Sequence, residues 1–188
     1  MTIARSKMPP NAKSVFKGKI FEVWQWEQKM FDGSIEIFER LRRTNSVIVI
    51  TTVGDKILIQ RELQPDREVP FLTMPGGCVD DGEDPLSAAK RELLEETGYE
   101  SSDWTLLNEF RPYHKIDWTV YLFVARQGHK IQVPHLDAGE KITSRLVNFE
   151  EFLMLSEDES MRNKELMEIL LRARLDPKKK EELRKLLF

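Results

Sequence analysis

The stretch Gly77–Tyr99, GCVDDGEDPLSAAKRELLEETGY, restricts the fold more than any other part of the chain. Asp84-Pro85 marks a helix start, with a capping carboxylate followed by a residue that has no N–H to leave unpaired in the first turn. Gly98 marks its end, where a left-handed residue closes the last turn. Between them Leu86, Ala89 and Leu93 are spaced to form an apolar stripe facing a core. Glu92, Glu95 and Glu96 stand at i, i+3 and i+4, so helical geometry gathers three carboxylates on a neighbouring face. Like charges at that spacing destabilise a helix by about 0.2–0.5 kcal/mol per pair. They must be solvated, paired with Arg91 and lysines, or neutralised by a divalent cation. All-oxygen ligands select a hard ion, Mg2+ or Mn2+. Gly76 and Gly77, just upstream, let the backbone approach an ion or a phosphate closely.

The chain has 188 residues, enough for a sizeable core, and a net charge of −3 that gives no field for nucleic acid or an anionic membrane. Cys78 stands alone, which excludes an intrachain disulfide and suits a reducing compartment. The first residues carry basic side chains with no apolar run behind them, unlike a signal peptide. No segment reaches the ~20 apolar residues of a membrane span. These features predict a soluble, cytoplasmic protein.

Residues 1–17 contain Pro9-Pro10 and no periodicity, and are expected to be a loose arm. Lys19–Gln28 alternates, with Ile20, Trp24 and Trp26 on one face, and Asp32-Gly33-Ser34 turns it into a second strand, Ile35–Leu41. Residues 1–44 thus read as an arm and a β-hairpin too thin to stand alone. They are expected to pack on the main domain, on a second subunit, or on both. Residues 45–188 read as that domain. Its expected strands are Ser46–Thr51, Lys56–Arg61, Phe71–Met74, Trp104–Phe110, Thr119–Ala125, Lys130–Val133 and Thr143–Asn148. Helices are expected at Phe149–Leu155, Met161–Arg174 and Pro177–Leu187. His114, His129 and His135 lack metal-ligand spacing.

The box around the acids then carries a resemblance. Gly77, five residues, Glu83, seven residues, Arg91-Glu92-Leu93, one residue, Glu95-Glu96, one residue and Gly98 match the Nudix box at every strictly specified position. Seven specified positions match by chance about once in 10^8 start sites. Tyr99 departs from the pattern, which usually has an aliphatic residue there. The chain therefore resembles a Nudix hydrolase. The resemblance implies an α/β fold, an α/β/α sandwich around a mixed sheet, here preceded by a small antiparallel β unit. It also implies hydrolysis of a nucleoside diphosphate linked to another moiety, with Mg2+ or Mn2+. Carried onto this chain, Glu92, Glu95, Glu96 and the Gly76 carbonyl become metal ligands, with Glu92 and Glu96 central to catalysis. Glu83 assists binding, and Arg91 orients the glutamates.

The ADP-ribose pyrophosphatase-like branch of that family places its general base on a loop outside the box. Leu136–Ile142 falls where that loop is expected, making Glu140 the first candidate base and Asp137 the second; a solvated acidic loop is the alternative. The N-terminal strands resemble the exchanged region through which those enzymes form homodimers. Trp24 and Trp26 would then stack on a base, or else serve core or interface. Arg61 and Arg67 would contact phosphate, or else form surface ion pairs. Thr73 stands where branch members commonly carry Glu. Other nucleotide sugars, dinucleoside polyphosphates and oxidised nucleoside triphosphates stay open as substrates, as does a non-catalytic nucleotide-binding regulator.

Overall fold

The structure is a computed structural model that describes residues 8–188. In chain order its strands are β1 (Lys13–Lys17), β2 (Phe21–Lys29), β3 (Ile35–Arg43), β4 (Ser46–Val53), β5 (Lys56–Leu63) and β6 (Phe71–Thr73). The helix α1 (Pro85–Thr97) precedes β7 (Tyr99–Glu100), β8 (Asp103–Phe110), β9 (Ile116–Asp117), β10 (Val120–Arg126), β11 (His129–Lys130) and β12 (Lys141–Val147). Three helices follow: α2 (Phe149–Met154), α3 (Lys164–Leu175) and α4 (Pro177–Leu187). No helix among the described residues is long and apolar enough to cross a membrane.

Contacts divide the chain into two units. One holds the described residues through Asn45 together with Arg111–Thr119; the other holds Ser46–Phe110 and Val120–Phe188. The first is a four-stranded sheet in the order β1-β2-β3-β9. Its central hairpin turns where Asp32 accepts a hydrogen bond from Ser34 N at 2.9 Å. Lys13–Lys17, expected within a loose arm, instead forms β1, paired with β2 across a bulge between Ser14 and Phe16. Three apolar or β-tolerant residues suffice there because the edge of β2 supplies the missing hydrogen bonds. The arm's residues 1–7 lie outside the described residues. The connection at His114–Asp117 also contributes a strand, since Ile116 and Asp117 run parallel to Leu41 and Arg42.

The second unit is built on a mixed sheet ordered β12-β5-β4-β10-β8, with β6 attached to β5. The β4–β10 pairing is parallel and the β10–β8 pairing antiparallel. Val47 and Val49 of β4 and Phe123 and Ala125 of β10 pack on Ala88, Ala89 and Leu93 of α1, with Leu86 partly buried at the edge. Leu93 is fully buried, and truncating such a leucine costs about 2–5 kcal/mol. Alternation sends Ile48, Ile50, Ile57 and Ile59 to the other face, where α2 packs against β5 and Phe152, Leu166, Leu170 and Leu187 of the last three helices are buried. The result is the expected α/β/α layering. Two sequence expectations need correction. Of the expected strand Lys130–Val133 only Lys130 pairs, together with the preceding His129 and against Tyr99–Glu100, because Ile131 N and Gln132 N turn to the Gly98 carbonyl. Residues 161–163 do not join α3; they lie along β6, as described below.

Candidate active site

The site begins with a split in the sheet. Strands β4 and β5 pair only near their hairpin, from Thr51–Leu58 to Val53–Lys56. Beyond it β6 pairs with β5, and the carbonyls of Pro75 and Gly77 accept from Val49 N and Val47 N at 2.8 and 2.9 Å. The segment from Phe71 to Gly77 therefore runs between them. It demands its glycines. Gly76 has φ +152°, and a Cβ there would lie 2.1 Å from the Val47 carbonyl oxygen. A Cβ on Gly77 would lie 2.4 Å from Glu92 Oε1.

Helix α1 delivers the acids to this loop. Asp84 caps it by accepting from Leu86 N and Ser87 N, and Gly98 closes it in the left-handed conformation. Glu96 is buried, and its Oε2 accepts from Gly76 N at 3.1 Å and from Gln60 Nε2 at 3.1 Å. Burial pushes its carboxyl well above the usual carboxylate range, against the pull of those two hydrogen bonds. Glu92 is also raised by burial, opposed by Arg91, whose Nη1 donates to it at 2.9 Å. Arg91 reaches further: to Glu95 at 3.3 Å, to both oxygens of Glu83 at 3.2 and 3.0 Å, and to the Cys78 carbonyl at 3.0 Å. Its guanidinium holds Glu83 below the ordinary glutamate range. One arginine thus ties the front of the box to two of its three acids.

The Glu140 loop is fastened to the same helix, since His135 N donates to the Glu95 carbonyl at 2.7 Å. Glu140 is raised by burial, and by the charges of Asp137, Glu62 and Glu95 facing it. Its charge in turn acts on Glu92 and Glu96. Its Oε2 accepts from Asp137 N at 3.2 Å. The structure therefore gathers Glu92, Glu95, Glu96 and Glu140 within electrostatic reach of one another. Among the described residues, no three acid, histidine or cysteine side chains already converge on one point as a metal shell would. Glu92 and Glu96 are instead held by Arg91, Gln60 and Gly76.

The remaining candidates make none of these contacts. Arg61 sits between Gln60 and Glu62 on β5, and alternation turns it to the face away from Glu96. Arg67 lies over the Phe71 ring, 4.9 Å from its centroid, and is in no ion pair among the described residues. Trp24 and Trp26 belong to the N-terminal unit. There Arg42 covers Trp24 at 4.4 Å, and Trp26 is buried against Phe38 with Arg40 above it at 5.9 Å.

Three residues at the site escaped the sequence reading. Gln60 and Glu62 are buried polar residues two apart in the otherwise apolar run KILIQREL, a period-2 interruption that signals a polar patch on one strand face. Asn163 accepts from Met74 N at 2.7 Å and from Thr73 Oγ1 at 3.1 Å, and no local pattern reveals it.

The fold and this box identify the class: the model of the NUDIX domain matches residues 41–169, and the chain belongs to the Nudix family. Over 101 residues the chain is 32% identical to ADP compounds hydrolase NudE of Escherichia coli (strain K12), a match spanning 53% of this chain and 54% of that protein. Over 148 residues it is 26% identical to ADP-ribose pyrophosphatase of Bacillus subtilis (strain 168), covering 77% of this chain and 80% of that one. The chain thus spans about half the length of the first relative and four-fifths of the second. A solved structure of an ADP compounds hydrolase superposes with a TM-score of 0.73 at 24% identity, over 92% of this chain and 95% of the other, which establishes the fold.

Proposed function

We propose that the chain hydrolyses the pyrophosphate bond of a nucleoside diphosphate linked to another moiety, ADP-ribose or a related nucleotide sugar, giving a nucleoside monophosphate and a sugar phosphate. The observation that carries this reading is the placement of a half-buried Glu92 and a buried Glu96, both carboxylates aimed at Gly76–Gly77 beside a third acid on the same helix. The similarity to an ADP compounds hydrolase and to an ADP-ribose pyrophosphatase supports the substrate class.

A divalent ion, Mg2+ or Mn2+, fits the residues present. The donors are all oxygens, and burial raises the carboxyls of Glu92 and Glu96 while their charges repel. A dication is the partner that relieves both costs. Glu92, Glu95, Glu96 and the Gly76 carbonyl would hold it, and it would supply neutralisation of the pyrophosphate oxygens as they gain charge. Glu140 would accept the proton of the attacking water, since burial raises its pKa and so makes its carboxylate a stronger base. Arg91 would hold Glu83, Glu92 and Glu95 in place. Gly77 would keep the floor open where a side chain would displace Glu92.

The N-terminal unit supports the homodimer reading. On one face of its sheet Phe16, Phe21, Ile35 and Ile37 are all exposed, and a second copy of this chain is the proposed cover. Sedimentation of the full chain and of a variant lacking residues 1–44 tests it: a stable, active monomer after the deletion would refute it. For the activity, ADP-ribose, other nucleotide sugars, dinucleoside polyphosphates and nucleoside triphosphates are incubated with the protein and Mg2+ or Mn2+, and products identified. AMP plus ribose 5-phosphate is expected, and Glu96→Gln is expected to lower the rate at least 100-fold, in line with losses seen when a charge-stabilising group is removed. Equal rates in the two proteins would sink the metal-site reading.

A further inference from the structure

We infer that Arg67 and Arg162 form a two-guanidinium clamp for a phosphate group of the substrate, outboard of the box carboxylates; this rests on the hydrolase reading above. The segment before α3 is strapped along β6. Leu72 N donates to the Ser160 carbonyl at 3.0 Å, Arg162 N donates to the Leu72 carbonyl at 2.8 Å, and Asn163 accepts from Met74 N. The strap sets the Arg162 guanidinium 5.0 Å from the centroid of Phe71, the ring that already carries Arg67 at 4.9 Å. Two exposed cations therefore share one buried ring.

Their other partners are what single them out. Among the described residues, neither guanidinium is engaged in an ion pair or donates a hydrogen bond, whereas Arg91, Arg126 and Arg174 each pair with acids. The ring fixes the stems and the cation positions without consuming a single N–H. Two like charges held within about 5 Å of one ring centroid, with all donors unspent, are complementary to a phosphate, which accepts bidentate hydrogen bonds from guanidinium.

The register places the clamp on the right side of the sheet. Phe71 stands opposite Glu62, and Thr73 opposite Gln60. Directly paired residues project to the same face, and Gln60 is the side chain that reaches Glu96. Phe71 is thus on the carboxylate face, two residues or roughly 7 Å along the strand from the Gln60–Thr73 row. Acids at one end and arginines at the other divide the work: the acids suit a cation, the arginines an anionic group of the substrate beyond it.

Calorimetric titration of ADP-ribose into the full chain in EDTA tests the clamp without turnover. Arg67→Met and Arg162→Met keep an apolar stem over Phe71 while removing the donors, and their melting temperatures are compared with the parent. Each is expected to weaken binding at least tenfold, with Arg162→Lys, a second variant that keeps the charge, weakening it about threefold. Unchanged affinity in the Met variants, or in the Lys variant should the Met variants not fold, overturns the clamp, as does a parent protein that binds no ADP-ribose. Inorganic phosphate binding as tightly as ADP-ribose would make this a free-anion site and also overturn it. Turnover with Mg2+ separates the two readings. Binding that depends on these arginines without hydrolysis keeps the clamp and sinks the hydrolase; hydrolysis with unchanged KM and affinity in the variants does the reverse.

Discussion

Asn163 Oδ1 accepts a hydrogen bond from Met74 N at 2.7 Å, joining the start of α3 to the residue two before Gly76. Asn163 is the N-cap of α3 by position, yet its side chain caps nothing in that helix. The acceptor that would ordinarily stabilise the helix start, worth about 1 kcal/mol, is used on the loop instead. Its second donor, Thr73 Oγ1, comes from the position where the ADP-ribose branch commonly has Glu. Asn163→Ala strands a part-buried Met74 N–H, so urea unfolding should show a loss of about 1–3 kcal/mol. Turnover should fall as well, because Gly76 and Glu96 lose their anchor. Asn163→Asp keeps an acceptor and should recover most of both. A variant Asn163→Ala with parental stability and rate would mean that the strap bears no strain from the loop.

The two box glycines should fail differently. A Cβ at Gly76 meets the backbone carbonyl of Val47 at a positive φ, and neither can give way cheaply. Gly76→Ala is therefore expected to destabilise by more than about 2–3 kcal/mol and to be lost largely to aggregation. At Gly77 the obstruction is the carboxylate of Glu92, the far end of a flexible side chain. Gly77→Ala should fold with a melting temperature close to the parent and lose at least 100-fold in kcat, having expelled Glu92. Circular dichroism and rates on the same preparations check the contrast; a Gly77→Ala protein that is fully active places Glu92 outside the chemistry.

Acid should weaken the start of α1 through Asp84. Its carboxylate accepts from Ser87 Oγ and from Leu86 N and Ser87 N, and the Ser87 bonds lead in holding its pKa below the ordinary aspartate value. A folded pKa below the unfolded one means the unfolded chain binds the proton more tightly. The stabilisation is then fully present above the unfolded value near ~3.9 and lost as pH falls through the folded one. Asp84→Asn keeps a capping oxygen but cannot titrate. Melting temperatures followed from pH 6 to pH 3 should drop more steeply in the parent than in this variant. Parallel curves would remove Asp84 from the acid transition.

The legible and illegible parts of the site divide by the range of the interactions that build it. Glu92, Glu95 and Glu96 follow from i, i+3, i+4 geometry within one helix, and the Asp84 and Gly98 boundaries follow from backbone chemistry at its ends. The layers of the second unit follow from β-branched runs and from the apolar stripe of α1. Glu140 stood out as an acid in a late loop, but its approach to the box rests on long-range pairings, His135 N with the Glu95 carbonyl and Lys141 beside Leu63. Asn163 and Arg162 were invisible because only the pairing of Ser160–Arg162 with Leu72 brings them to β6. Arg61 shows the limit from the other side: proximity in sequence to the box says nothing of strand face, and alternation turns it away from Gln60.

Gln60 offers the sharpest separation between holding a carboxylate and doing chemistry. Its Nε2 donates to Glu96 while its Oε1 is buried without a hydrogen-bond partner among the described residues, an arrangement that costs stability and so needs a reason. The donated bond favours the ionised form of Glu96 against burial, the larger effect. Gln60→Met removes both the donor and the orphaned acceptor while filling similar volume. Stability without metal should therefore stay level or rise. Binding of Mn2+, followed by electron paramagnetic resonance, should weaken about 10–100-fold, the range for residues that orient a metal's ligands. The kcat at saturating metal should fall far less than the metal affinity, because the variant still presents Glu92, Glu96 and Glu140. Equal losses in kcat and metal affinity would instead place Gln60 against the substrate, and unchanged affinity would mean that Gly76 N alone suffices to set Glu96.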